Sequence, residues 1–193
     1  YAHFHVAPAL DEALYRELEA TFPTLDAFTD GRTPANNVAL RIPAHKVVDD
    51  ERFAPVWRNF FRYHVSQGFW DQMRRLMGPE MREAFPALER QVGRSLDEFS
   101  VAMRSGGEPG DLNLDCQFVV NTPVRDPSSV KTAHVDNQYK LWSALLYFRH
   151  PDDRSGGGDF DIYRFVRPKR FISHRVSDDR IERCETVPYA ANS

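Results

Sequence analysis

A histidine and an aspartate separated by one residue are the leading candidates for chemistry in this sequence. His134 and Asp136 flank Val135, and alternate residues of a β-strand point to the same face of a sheet. A strand over Val130–Val135 would therefore place an imidazole and a carboxylate side by side at its end, which is how ligands of a metal ion are arranged. The alternative is a histidine that simply pairs with a carboxylate.

The spacing alone is a weak signal. With 7 histidines and 28 acidic residues among 193 positions, about one His-x-acid pair is expected by chance. A second pair, His150 and Asp152, does occur, on either side of Pro151. Because proline and the turn residues that follow it exclude a shared strand face, we interpret this second pair as part of an exposed loop.

Three further features have weaker claims to a function. Gly156–Gly158 lacks the helix and lysine that follow a phosphate-binding loop, so it predicts a turn that enters a strand. His3 and His5 have ligand-like spacing without a neighbouring carboxylate in the sequence, and we interpret them as structural or incidental. Cys116 and Cys184 are too few for a disulfide framework, which favours a reducing, cytoplasmic location. Neither has a flanking histidine or second cysteine, so a nucleophile role has little support.

The elements that must position these residues differ between the two halves of the chain. Residues 1–93 are predicted to be mainly helical, since apolar residues recur every three or four positions over 9–20, about 50–78 and 79–92. Pro86 is expected to interrupt the third of these helices and Gly93 to end it. The turn-rich stretch 24–50 is predicted as loop with a short strand at Val38–Ile42. We interpret the aromatic and methionine stripe of the second helical block as core.

Residues 94–193 are predicted to be β-structure. Short apolar or alternating runs separated by Pro, Gly and Asp indicate strands at Phe99–Arg104, Leu112–Asn121, Val130–Val135, Trp142–Arg149, Phe160–Phe165 and Arg183–Val187. Short strands with turns and no helices between them are typical of an antiparallel sandwich or jelly roll. The expected fold class is therefore α+β, a single domain over residues 1–193 with helices packed on a β-sandwich.

Composition excludes two kinds of partner. No apolar run is long enough to span a membrane, and a formal net charge of −3 provides no basic surface for nucleic acid. Aromatic residues make up 12% of the chain, and that much apolar area predicts a folded core instead of disorder.

From His134 onward the sequence resembles the iron- and 2-oxoglutarate-dependent oxygenases, most closely their prolyl-hydroxylase-like branch. The family pattern is H-x-D, a short loop, an apolar strand that ends in Tyr-Leu-Asn, and then Gly-Gly-x-Leu. Here Phe148 and Phe160 stand at the leucine positions and Arg149 stands at the asparagine. The match covers roughly residues 112–165 and implies a double-stranded β-helix, Fe(II) as the metal and 2-oxoglutarate as the co-substrate.

The resemblance also implies roles for individual residues. His134 and Asp136 would be two of the three iron ligands, which leaves positions open for the co-substrate and O₂. Tyr147 would donate a hydrogen bond to the distal carboxylate of 2-oxoglutarate, its alternative being an ordinary core tyrosine. Gln117 is a weaker candidate for lining the same pocket. The implied reaction is hydroxylation of a C–H bond in a small-molecule or peptide-like substrate, with release of succinate and CO₂.

The third ligand is where the sequence departs from the family. Family members place a distal histidine several strands after H-x-D, followed by a basic residue that pairs with the co-substrate. The one histidine after the glycine turn is His174, which comes 38 residues after Asp136, nearer than is usual. We therefore expect that His174 is not the ligand and that the chain is truncated before the final strands. The basic residues of this region are then expected to be solvated: Arg164, Arg167, Lys169 and Arg170.

The incomplete triad leaves a second function open. A jelly roll without catalysis that binds a sugar or a partner protein is the alternative to an oxygenase. A metal-dependent cupin-type enzyme such as an isomerase would share the fold, but it would need more histidines on these strands than the sequence has.

Overall fold

The chain contains five α-helices and six β-strands within the residues that this computed structural model describes, which are 3–124, 132–134, 136, 139–167 and 176–193. The helices are α1 (Glu12–Ala20), α2 (Leu25–Thr29), α3 (Pro55–His64), α4 (Gln67–Ala84) and α5 (Leu88–Val92). The strands are β1 (Ala39–Pro43), β2 (Val101–Met103), β3 (Leu112–Leu114), β4 (Gln117–Asn121), β5 (Phe160–Phe165) and β6 (Ile181–Val187). These helices all precede Gly93 and every strand but β1 follows it, so the predicted α+β class is confirmed.

The strands pair into three two-stranded sheets. β1 pairs with β4 and β5 with β6 in antiparallel fashion, whereas β2 and β3 run parallel. Among the described strands these sheets do not close into a barrel, and the jelly roll stays a prediction. The chain folds into two compact units, one formed by Ala20–Pro127 and the other by His3–Glu19 together with Ser128–Ser193.

Phe118 on β4 is the centre of the aromatic core of the first unit. Its side chain is buried, while Val119 on the opposite face of the strand is exposed, as the alternation of a strand requires. The Phe118 ring centroid lies 4.5 to 6.4 Å from those of five other aromatic residues, namely Phe22, Phe28, Phe53, Trp57 and Phe61. Of the predicted stripe, Phe53, Trp57, Phe61 and Trp70 are buried whereas Leu76 is 54% exposed, so the core prediction is confirmed in part.

The helical block is divided differently from the sequence prediction. α3 ends at His64, and Ser66 caps α4 by accepting a hydrogen bond from the Phe69 amide at 3.3 Å. Pro79 does not begin a new helix but lies inside α4, because the buried Trp70 and Met81 on this helix hold it on both sides of the proline. The predicted break at Pro86 is confirmed between α4 and α5. In the described ranges no helix, α4 included, has the length and apolar content to cross a membrane.

Gly93 ends α5 as predicted. It adopts the left-handed conformation with φ of 81°, which costs glycine little and other residues more.

The strand predictions are confirmed in part. β1, β2, β5 and β6 lie at or within one to two residues of predicted strands, and the predicted strand Leu112–Asn121 is interrupted between β3 and β4. The prediction of a strand at Trp142–Arg149 is wrong: Tyr147 makes backbone hydrogen bonds to Asn192 and Ser193, but no ladder extends from it. Alternation of side chains indicates an extended segment, whereas a strand also needs a paired neighbour. Most of the predicted strand Val130–Val135 lies outside the described residues.

Asn192 connects the two sequence segments of the second unit. Its side-chain oxygen accepts from the Leu10 amide at 2.8 Å, and its side-chain nitrogen donates to the Leu10 carbonyl at 2.9 Å. Its backbone carbonyl accepts from the Ala9 amide at 2.9 Å. Asn192 has φ of 57°, a left-handed conformation that asparagine adopts more readily than most residues. One buried side chain therefore satisfies both backbone groups of Leu10.

A ring stack adds an apolar contact between the same two segments. Tyr15 of α1 lies parallel to Phe148, with ring centroids 5.1 Å apart and an interplanar angle of 7°. Tyr15 is almost fully buried, and burial raises the pKa of its phenol. The stack and the Asn192 hydrogen bonds together fix α1 against the segment that carries Tyr147.

We expect Phe118→Ala to destabilise the protein by about 3–5 kcal/mol, because it removes the ring that five other aromatic residues contact. The matched control is Val119→Ala on the exposed face of the same strand, which should cost about 1 kcal/mol or less. Urea denaturation followed by tryptophan fluorescence measures both, since Trp57 lies against Phe118. Equal losses from the two variants would contradict the placement of the core.

His64 predicts a pH-dependent component of stability. It packs against Phe60 and Phe69, with ring centroids at 4.0 and 4.5 Å, and burial lowers its pKa. The unfolded chain, with a His pKa of about 6.5, then takes up a proton more readily than the folded chain, so stability falls as pH decreases below about 6.5.

Replacing His64 by phenylalanine, which keeps the packing and does not titrate, should remove this component. The free energy of unfolding measured from pH 7.5 to 5.5 should fall less steeply in His64→Phe than in the unmodified chain, by at most about 1.4 kcal/mol per pH unit. Identical slopes would show that His64 titrates alike in both states.

Candidate metal site

The side chains of His134 and Asp136 face each other in the second unit. His134 Nε2 lies 3.7 Å from Asp136 Oδ1, and both side chains are partly exposed, at 32% and 45%. At bond lengths of about 2.1 Å, adjacent ligand atoms of an octahedral metal ion lie about 3 Å apart. The two atoms are thus slightly wider apart than a metal would hold them.

The other nitrogen of His134 is already engaged. Nδ1 lies 2.8 Å from the Thr132 carbonyl oxygen, and a carbonyl can only accept, so Nδ1 carries the proton. In the neutral ring this leaves the lone pair on Nε2, which is the atom that faces Asp136. A backbone carbonyl that holds one ring nitrogen in this way is the usual outer partner of a metal-binding histidine.

Asp136 is held in the same manner through one of its two oxygens. Oδ2 accepts from Lys140 Nζ at 2.8 Å and from Ser143 Oγ at 3.1 Å. The Lys140 hydrogen bond is the main reason that the pKa of the Asp136 carboxyl lies below its usual range. At neutral pH the site therefore holds a carboxylate whose Oδ1 faces the imidazole.

The donor set fits two ligands of a divalent metal ion. It pairs one imidazole with one carboxylate and contains no thiolate, the combination that suits non-haem iron. Across the described ranges no group of three or more His, Cys, Asp or Glu side chains is placed to bind a metal. His174, Lys169 and Arg170 lie outside the described residues.

Two members of the predicted basic cluster are described, and both are in ion pairs. Arg164 lies 2.9 Å from Glu182, and Arg167 lies 3.1 Å from Asp179. These pairs are largely exposed, as predicted for solvated charges.

Tyr147 lies in the same unit as His134 and Asp136 and is half-buried. Its ring meets the ring of Tyr189 edge to face at a centroid distance of 5.1 Å, and burial raises the pKa of its phenol. The hydroxyl therefore stays protonated at neutral pH and is able to donate. The predicted contact with 2-oxoglutarate stays a prediction.

Arg149 is held by contacts with two backbone carbonyls and one aromatic ring. Its guanidinium donates to the carbonyls of Tyr189 at 2.9 Å and Ser155 at 2.8 Å, and it lies over the Tyr189 ring. These contacts fix the loop that precedes β5.

Gln117 belongs to the other compact unit. Its amide nitrogen donates to Asp115 at 2.5 Å and its oxygen accepts from Arg41 at 3.4 Å. Its predicted role in lining a co-substrate pocket is untested by these contacts and stays a prediction.

The weaker candidates behave largely as expected. The His150 and Asp152 side chains are 70% and 88% exposed, which confirms the loop interpretation. His3 pairs with Glu185 of β6 at 2.7 Å, a contact with a residue distant in sequence. Cys116 and Cys184 are free thiols, and burial raises the pKa of Cys116 to about 12, which does not suit a nucleophile.

Sequence reasoning did not identify Thr132, Lys140 and Ser143. Thr132 contributes a backbone carbonyl, for which no side-chain pattern exists. Lys140 and Ser143 are four and seven residues beyond Asp136, and only the structure shows that both donate to its carboxylate.

Comparison of the chain with protein-family models, with curated proteins and with solved structures found no match.

Gly158 lies in the predicted turn that enters β5, and its substitution tests that turn. It has φ of 89°, and an added Cβ would lie 3.0–3.3 Å from atoms of the Tyr189 side chain. We expect Gly158→Ala to destabilise the protein by about 1–3 kcal/mol. Gly156→Ala is the matched control, because an added Cβ there meets nothing within 4 Å and should change stability by less than about 1 kcal/mol. Thermal unfolding of both variants measures the difference in stability. An unchanged midpoint for Gly158→Ala would contradict the close approach of Gly158 to the Tyr189 side chain.

Proposed function

We propose that this chain is an Fe(II)- and 2-oxoglutarate-dependent dioxygenase that hydroxylates a C–H bond of a small-molecule or peptide-like substrate. The observation that carries the proposal is the pairing of the two ligand atoms. His134 Nε2 and Asp136 Oδ1 face each other, while Nδ1 and Oδ2 of the same side chains are held by other groups. This arrangement adds to the sequence resemblance, which by itself specifies only residue types and order.

The overall reaction balances without another reactant. Substrate C–H, O₂ and 2-oxoglutarate give substrate C–OH, succinate and CO₂, so that one oxygen atom enters the product and one enters succinate. Iron with bound co-substrate supplies the activation of O₂ that no side chain provides. A jelly roll is the fold proposed to carry this site.

The protein's own side chains would bind the metal and orient the co-substrate. His134 and Asp136 would bind the metal, and the carboxylate would offset part of its charge. The Thr132 carbonyl fixes the ring of His134 in the tautomer that leaves Nε2 free. Tyr147, with its pKa raised by burial, would present a neutral O–H donor to a carboxylate of 2-oxoglutarate.

A reducing compartment is the proposed location. Both cysteines are free in the structure, which supports an intracellular environment such as the cytoplasm.

His134→Ala should abolish the release of succinate that depends on 2-oxoglutarate and Fe(II), because it removes one of the few metal ligands. The matched control is His150→Ala, since His150 belongs to the other His-x-Asp pair and is exposed; its activity should equal that of the unmodified chain. Succinate is measured by chromatography under air, with and without 2-oxoglutarate.

Succinate release that persists at the original rate in His134→Ala would overturn the assignment. Binding of a sugar or a protein partner by a chain that releases no succinate would instead favour the non-catalytic jelly-roll module.

A further inference from the structure

We propose that Lys140 and Ser143 are positioning residues that make Asp136 a one-oxygen metal ligand. The inference rests on the proposed function, because it assigns a role to residues around the proposed iron ligands. Neither residue would contact the metal. Each acts on Asp136 by occupying the oxygen that faces away from His134.

The two oxygens of the Asp136 carboxylate have different surroundings. Lys140 and Ser143 both donate to Oδ2, at 2.8 and 3.1 Å, while the oxygen that lies 3.7 Å from His134 Nε2 is Oδ1. A charged and a neutral donor on one oxygen oppose rotation of the carboxylate about its terminal torsion, which is otherwise soft. Asp136 therefore presents one defined atom to the imidazole.

Presentation of a single oxygen has a chemical consequence. A carboxylate can bind a metal ion through one oxygen or through both. A metal held by His134 and by one oxygen of Asp136 would keep more positions open for co-substrate and O₂ than a metal held by both oxygens of Asp136. The Oδ2 donors thus favour the coordination that the proposed reaction requires.

An ordinary surface ion pair does not account for this arrangement. An exposed lysine–aspartate pair contributes little to stability, and Lys140 and Asp136 are each about half-exposed, at 48% and 45%. Ser143 donates to the same oxygen of Asp136. Because its hydroxyl is uncharged, it does not neutralise the carboxylate, and its contribution is to orient it. His134 shows the same pattern, with one nitrogen held by Thr132 and the other facing Asp136.

The test measures Mn²⁺ binding to the full chain by the loss of the free-ion EPR signal, in the absence of co-substrate. Lys140→Met and Ser143→Ala should each weaken Mn²⁺ binding, with Lys140→Met in the range of about 10- to 100-fold that is typical for outer-shell partners of metal ligands. Lys140→Arg keeps a cationic donor and should lose less affinity than Lys140→Met. Lys46→Met, at an exposed lysine of the other unit, is the matched control and should bind as the unmodified chain does.

The thermal unfolding midpoint without metal separates positioning from a structural role. We expect it to be unchanged in Lys140→Met, because the pair is exposed. A lower midpoint with unchanged Mn²⁺ affinity would overturn the inference and leave the proposed metal site intact. Mn²⁺ binding that does not depend on His134, tested with His134→Ala, would overturn the proposed function and this inference together.

Discussion

The second compact unit depends on the pairing of Asn192 with the backbone of Leu10. The unit is assembled from two stretches of chain that are more than a hundred residues apart in sequence, so its formation requires closure of a long loop. The Asn192 carboxamide replaces the missing backbone partner of Leu10 by offering one acceptor and one donor. The amide and carbonyl of Leu10 are part-buried, and this bond pair removes the cost of leaving either of them without a partner.

The same residue connects the N-terminal segment with Tyr147. The backbone amide of Asn192 donates to the Tyr147 carbonyl at 3.0 Å, and the backbone amide of Tyr147 donates to the Ser193 carbonyl at 2.9 Å. The parallel rings of Tyr15 and Phe148 lie beside these bonds. The position of Tyr147 in the unit is therefore set by hydrogen bonds at its own backbone and by the ring stack of its neighbour.

The candidate metal site illustrates how much of a site a sequence motif specifies. The H-x-D spacing identified two side chains that face each other, and the context of Pro151 predicted that His150 and Asp152 lie in an exposed loop, as they do. The motif did not reveal Lys140 or Ser143, because H-x-D specifies only the two ligand positions and not the residues four and seven positions beyond them. It also could not distinguish Oδ1 from Oδ2, a difference that only neighbouring donors create.

The sequence by itself determined the α+β class, the aromatic core, the break at Pro86, the turn at Gly93 and the residue types of the candidate site. These follow from local periodicity and backbone stereochemistry, which act within a few residues. Tertiary structure decided that α4 continues through Pro79, that Trp142–Arg149 has no ladder, and that Asn192 pairs with Leu10. Each of these outcomes depends on a partner distant in sequence: a buried surface, a neighbouring strand, or backbone groups that accept and donate hydrogen bonds. Local sequence carries no information about where that partner lies.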